Sequence, residues 1–428
     1  MGINNIDDTM NLKSANQPSV RLPVSERYDA YVGLSSDQNE KPIAFAIIKL
    51  TYRILENGNL KLIEPVPLHN NIYDPAEKPR LKPGCDFWPY KMATDIVVQG
   101  KAHALAGKPV REMDVSIEIG NIGKTARVTG NRNVTITHDN RIAFTPAEPF
   151  TSIDLTYYNA YGGVDWRVPV DEPDNFANQL RLRVDHPGMY PRNPYGCGYV
   201  VLRDQKHLDG IPLPNIEHPR QCLSPETLFT GQPELWYQKP LPWCFDWLQG
   251  HMFPRSAFFG GADGWYPAPE NDIPEIHLGI LPVNYRSQFT QLLIEKGPHP
   301  RFFNEASLGL QIDYLNGNEP VRLKGMSPDG NLIFHLPGKI PELSMVVESK
   351  RFDLQPSLYT VLLKPDQRTA ELLWGSTQVL PRRYIPGIHK DIPVACSFLG
   401  DPPLSPDYAE PVRDTLLKSQ NDSPPVNL

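Results

Sequence analysis

The sequence is poor in the features from which an activity is most directly read. Its five cysteines, Cys85, Cys197, Cys222, Cys244 and Cys396, are odd in number, scattered and never spaced as C-x-x-C. Neither a disulfide framework nor a structural zinc site is therefore expected, and free thiols suit a cytoplasmic location. The opening stretch MGINNIDDTMNLKSANQPS has no apolar segment of the kind a secretory signal requires. The longest apolar runs, such as residues 44–50 with Lys49 inside, are far too short for a bilayer, so no membrane insertion is expected. There is no phosphate loop of the form G-x-x-x-x-G-K-S/T, no G-x-G-x-x-G after a strand, no G-x-S-x-G and no H-E-x-x-H. These absences remove the common nucleotide, serine-hydrolase and zinc-peptidase readings. The formal net charge is −7, with no basic, aromatic-interleaved stripe to offset it. That argues against a nucleic-acid partner.

What the sequence has in excess is proline. With 46 prolines and 30 glycines in 428 residues, proline stands at roughly twice its usual share. It lacks a backbone donor and is excluded from helix interiors and central strands. Set among β-branched and aromatic residues, it favours many short strands joined by ordered loops. The expected fold is all-β with minor helix, built of antiparallel, β-sandwich-like regions with long aromatic- and proline-rich loops. Hydrophobic residues at 40% are ample for real cores, and the length suits two or three domains.

Along the chain, AFAIIKLTYRI at 44–54 reads as a buried strand, with Asn57-Gly58 turning into LKLIEPV. TDIVVQGKAHAL, REMDVSIEIGN, KTARVTGNRNVTI and RIAFTPAEPF follow as short strands between turn residues. In DVSIEI the alternation predicts one buried and one wet face. Residues 150–270 hold most of the tryptophans with little periodicity and read as ordered loops. A short helix is expected near 224–229 and another within 278–295. Strand patterns return from residue 306, with a hairpin of 358–363 and 370–374 across KPDQRT. The expected organisation is a flexible N-terminus (1–20), an N-terminal antiparallel β region (21–150), a loop-rich central segment packed on it (151–300), a C-terminal β region (301–400) and a polar, proline-rich tail (401–428).

Few residues suggest chemistry. PWCFDWLQGHMFPR places Cys244, Asp246 and His251 near one another, and a thiol nucleophile needs a base and an orienting group within reach. Flanked by Trp243, Phe245 and Trp247, however, Cys244 reads as a small buried hydrophobe. His103, His186, His207 and His218 lack ligand spacing. No catalytic residue, metal or cofactor is assigned. Gly162-Gly163 and Gly196 sit beside bulky aromatics, where they either brace the central loops or admit a partner's backbone.

The order TDIVVQGKAHA, ARVTGNRNV, EPF, YYNAYGGVD and NPYGCGY resembles a bacterial domain family of long-unassigned function, encoded in type VI secretion clusters near spike proteins and PAAR-like effectors. That family pairs an aromatic-or-alanine-Gly-Gly step with a later Asn-Pro-x-Gly-x-Gly. Here these are Ala160-Tyr161-Gly162-Gly163 and Asn193-Pro194-Tyr195-Gly196-Cys197-Gly198. The likeness covers roughly residues 20–390, including FPRSAFFGGADGWY and FFNEASLGLQIDYLNGNEPVRLKGMSPDGNLIFHLPG. Cys197 stands where the family usually has arginine, and Tyr161 where phenylalanine is commoner. The resemblance implies an adaptor or chaperone that binds and stabilises a type VI effector, through its PAAR-like region, and helps load it on the spike. No catalytic residue comes with it. Two other readings stay open: a carbohydrate-active or other hydrolytic enzyme, and a structural component of the spike. For the adaptor, the partner site is expected on the central loops. Tyr161, Gly162, Gly163, Trp166, Arg192, Asn193, Tyr195, Gly196, Trp243, Trp247, Arg255 and Trp265 would carry it, because aromatics and arginine anchor interfaces best.

Overall fold

Short β-branched segments between proline and glycine become strands, as the sequence pattern requires, and the chain is all-β with minor helix. The structure is a computed structural model that describes residues 25–70, 81–169, 186–204, 207–259, 272–381 and 394–405. Strands β1 (Asp29–Ser36), β2 (Pro42–Ile54), β3 (Leu60–Leu62), β4 (Thr94–Val98) and β5 (Lys101–His103) come first. A hairpin of β6 (Glu112–Ile119) and β7 (Ile122–Thr129) follows. The next strands are short: β8 (Val134–Ile136), β9 (Ile142–Phe144), β10 (Ser152–Asp154), β11 (Tyr161–Gly162), β12 (Cys197–Gly198) and β13 (Ile216–Glu217). Helices α1 (Arg255–Phe258), α2 (Pro274–His277) and α3 (Tyr285–Lys296) end the central segment. Beyond them lie β14 (Gln311–Ile312), β15 (Pro320–Ser327), β16 (Gly330–His335), β17 (Leu343–Val347), β18 (Lys350–Leu354), β19 (Ser357–Lys364), β20 (Thr369–Val379) and β21 (Val394–Phe398).

A seven-stranded sheet runs β1-β2-β20-β19-β4-β14, with β3 also on β2, and a five-stranded sheet runs β13-β7-β6-β15-β16. Both large sheets draw strands from either side of the central segment. β2 pairs with β20 from Ile43 opposite Val379 to Arg53 opposite Thr369, and β6 pairs with β15. Pairing between named strands is antiparallel except for β4–β19 and β11–β12.

The unbroken apolar run of β2 follows from its place in the middle of a sheet covered on both faces. Ala44, Ala46, Ile48 and Leu50 enter the main core, whereas Phe45 and Ile47 enter a smaller cluster with Leu68, Tyr359 and Leu373. In β6 the alternation holds: Val115, Ile117 and Ile119 face the core, Asp114 and Glu118 face water. Both expected hairpins form, β2–β3 and β19–β20.

Of the two expected helices, the one within 278–295 is α3. The one near 224–229 is corrected to a single turn. Thr227 donates its N–H to the Ser224 carbonyl (3.1 Å) while the Ser224 N–H is taken by Thr227 Oγ1 (2.9 Å). Hydroxyls that satisfy the backbone locally compete with helix growth. The described part of the central segment is more than a covering of loops, since Tyr190, Trp236, Phe253, Tyr285 and Phe289 belong to a core of its own. Among the described residues no helix is long and apolar enough to cross a membrane.

One carboxylate joins the sheet to this segment. Asp95 on β4 accepts Lys91 Nζ (2.6 Å), the backbone N–H groups of Glu305 (2.9 Å) and Ala306 (3.1 Å), and Asn304 Nδ2 (3.1 Å). Glu305 in turn pairs with Arg255 (2.7 Å) and accepts the Cys85 N–H (2.8 Å). Asp95→Ala strands the buried Lys91 ammonium without its nearest anion. The expected loss is about 3–5 kcal/mol, read from the denaturant midpoint. Asp353→Ala, which removes an exposed partner of Arg351, should cost less than about 1 kcal/mol.

Candidate functional site

The two glycine motifs meet in space. Parallel pairing of β11 with β12 sets Tyr161 beside Cys197 and Gly162 beside Gly198. Gly163 N–H donates to the Asn193 carbonyl (2.8 Å), Tyr190 N–H to Gly163 (3.0 Å) and Tyr199 N–H to Gly162 (2.9 Å). The Asn193 side-chain amide donates to the carbonyls of Tyr157 (2.8 Å) and Tyr161 (3.1 Å). A Cβ on Gly162 would lie 2.1 Å from the Asn193 oxygen, so the crossing excludes any side chain there. Arg192 beside it is fully buried. Its Nε and Nη2 donate to the two oxygens of Glu275, and its Nη1 donates to the Tyr190 hydroxyl (3.1 Å) and the Tyr237 carbonyl (3.2 Å). The Trp236 ring lies 4.8 Å from the guanidinium.

The junction is braced from within by these bonds. Seven of the twelve expected residues are buried: Tyr161, Gly162, Gly163, Arg192, Asn193, Trp247 and Arg255. Arg255 reaches Glu305, the Phe302 carbonyl (2.8 Å) and the Leu248 carbonyl (2.8 Å). Arg192, Asn193 and Arg255 share a physical reason. On aperiodic backbone, guanidinium and amide groups satisfy the loop carbonyls that no regular ladder takes up. Tyr195 and Gly196 are half-buried, Tyr195 lying between Tyr158 and His251. Trp243 is half-buried, its Nε1 donating to the Thr125 carbonyl (2.6 Å). Trp166 is 64% exposed. Trp265 lies outside the described residues.

A concave surface opens elsewhere, on the outer face of the seven-stranded sheet. The β19–β20 register shifts between Leu358 and Thr360, an irregularity of the kind that re-aims a side chain. It lays the Tyr359 ring across Gly375 of β20, where a Cβ would sit 2.0 Å from the ring. Next to that ring the cover of the face gives out. Ile43, Tyr359 and Gly375 line the inside of an open depression of about 420 Å³. Tyr90, Met92 and Tyr314 wall one side, and Asp37 and Gln38 of the β1–β2 turn the other. Met92 (48%), Tyr314 (43%) and the neighbouring Val379 (51%) are unusually exposed for apolar and aromatic side chains.

Residues 38–375 match a family described as an uncharacterized protein conserved in bacteria, DUF2169. The chain belongs to this family. No curated protein and no solved structure matches it.

Within this DUF2169 chain the Cys244, Asp246, His251 group does not assemble into a nucleophile and base. The Cys244 thiol faces the Leu155 carbonyl (3.5 Å), and burial pushes it up to about 12. Burial also raises the Asp246 carboxyl to about 6 and lowers His251 to about 4. Among the described residues no three His, Cys, Asp or Glu side chains gather to hold a metal ion. The residues around the depression escaped the sequence reading. The single signal was Gly375 inside the apolar strand ELLWGSTQV, since glycine in a strand marks close approach of another group.

Lys124, also unforeseen, is buried without a carboxylate partner among the described residues. Its Nζ donates to the carbonyls of Cys244 and Leu308 and to Ser307 Oγ (3.1 Å), 4.4 Å from the Trp243 ring. Burial pushes its ammonium down to about 7. Between pH 7 and the unfolded value of 10.5 the unfolded chain then binds the extra proton. Stability contributed here rises with pH through that window, by up to about 1.4 kcal/mol per unit. The wild type should therefore gain on Lys124→Met from pH 7 to 9.5, measured by chemical denaturation. Trp247→Ala should cost about 3–5 kcal/mol and Trp166→Ala under about 0.5 kcal/mol, compared by thermal melting.

Proposed function

We propose that this DUF2169 chain is an adaptor that binds a type VI secretion effector, through its PAAR-like region, and holds it for loading on the spike. The observation that carries the protein-binding part is the open depression on the seven-stranded sheet, where Met92 and Tyr314 line the surface half-exposed and Val379 is exposed on the same sheet. Methionine and aromatic side chains in a wide, shallow surface are what protein interfaces use as anchors. A hydrolase would call for convergent carboxylates, whereas Asp37 is the one carboxylate among the described residues that line this surface. The class of partner comes from the order of the glycine motifs, which resembles that of proteins encoded beside type VI spikes.

The test is co-expression of the full chain with the PAAR-like effectors of its own genome, followed by affinity purification and a secretion assay in a deletion strain. One effector is expected to co-purify at a fixed ratio and to lose abundance and secretion when the chain is deleted. An effector set that neither co-purifies nor changes in abundance or secretion overturns the adaptor reading.

A further inference from the structure

We infer that the occupant of the depression is an extended segment of the partner protein carrying an aromatic or aliphatic side chain next to a lysine or arginine. This rests on the adaptor reading and names the chemistry of its site. Part of the lining is preset, because the Tyr359 ring is pinned across Gly375. An apolar side chain entering from above would meet the exposed flanks of Met92 and Tyr314.

The rim speaks for a backbone rather than for a second apolar face. Gln38, Gln355, Ser357 and Thr377 all border the depression, and among the described residues their side chains make no hydrogen bond within the chain. Amides and hydroxyls so placed suit the alternating donors and acceptors of an extended chain, which has unpaired groups on both edges.

Charge narrows the choice further. Two charged residues line the surface, Asp37 and Lys91. The Lys91 ammonium is consumed by Asp95 at 2.6 Å, inside the fold. Asp37 uses Oδ1 for the N–H groups of Asn39 and Lys41 (both 2.8 Å), and no hydrogen bond within the chain engages Oδ2 among the described residues. The rim is thus anionic, on a chain whose formal net charge is −7. A cationic side chain on the partner complements it and speeds encounter.

The probe is a phage-displayed library of random dodecapeptides, panned on the full chain. Enriched sequences are then titrated as synthetic peptides by fluorescence anisotropy. The expected winners carry a large apolar residue beside Lys or Arg. Thr377→Arg and Tyr314→Ala, both at exposed positions, should each weaken them at least about tenfold. Asp37→Asn, which keeps the turn's acceptor, should weaken them and flatten their salt dependence. No enrichment, acidic winners, or equal affinity across the variants would overturn the inference. So would a dimer in sedimentation that Thr377→Arg abolishes, since the occupant would then be a second copy. An effector that co-purifies undiminished with Thr377→Arg sinks the inference and leaves the adaptor standing, whereas no effector with the wild type sinks the adaptor itself.

Discussion

The carboxylate of Asp95 is the constraint on which the arrangement of the chain depends. It sits at the start of a central strand, where its oxygens take an ammonium, two backbone amides and a side-chain amide. Those donors come from the loop before β4 and from the stretch that leaves the central segment. One fully satisfied group therefore decides where 151–300 re-enters the sheets, and Glu305 extends the decision to Arg255 and Cys85. If Asp95 is displaced, the buried charges of Lys91 and Glu305 lose their balance together.

Similar knots recur elsewhere among the described residues. Lys49 on β2 lies between Asp86 (2.7 Å) of the covering loop and Glu371 (3.2 Å) of β20. Arg192 and Glu275 fasten the glycine junction to α2. Buried pairs of this kind add little net stability compared with apolar packing, but removing one member is costly. Their effect here is selective. Each ties a loop to a regular element and leaves a slipped alternative with an unpaired charge in the core.

Legibility in the sequence divides along the same line. The period-2 pattern of DVSIEI and the turns after Ile54 and Leu363 were readable because local spacing determines them. That β2 pairs with β20, more than three hundred residues away, was not readable, since apolar patterns announce a strand without naming its neighbour. Which aromatics of 150–270 face inward was not readable for a related reason. Regular strands reveal which side chain faces inward, but aperiodic backbone does not, so Trp247 inside and Trp166 outside looked alike. Asn193 and Arg192 looked like contact residues because buried and exposed polar groups have the same composition. What separates them is whether loop carbonyls are waiting to be paired.

The difference in burial bears on which surfaces are open to contact. Loops whose aromatics and arginines are spent on internal bonds cannot move without breaking a core, and they offer little surface to a visitor. The outer face of the seven-stranded sheet differs, because Val379 stands on β20 and the loop residues Met92 and Tyr314 are tied down, Met92 N–H donating to Asn304 Oδ1 (3.0 Å) and the Tyr314 ring stacking on the pinned Tyr359. Binding to a surface already held in place forgoes the ordering cost that a flexible loop would incur, about 0.5–1.5 kcal/mol for each immobilised side chain. The central segment bears on the depression at one remove: Asp95 and Glu305 lock the sheets, and Lys91 holds the wall residues Tyr90–Met92 in place.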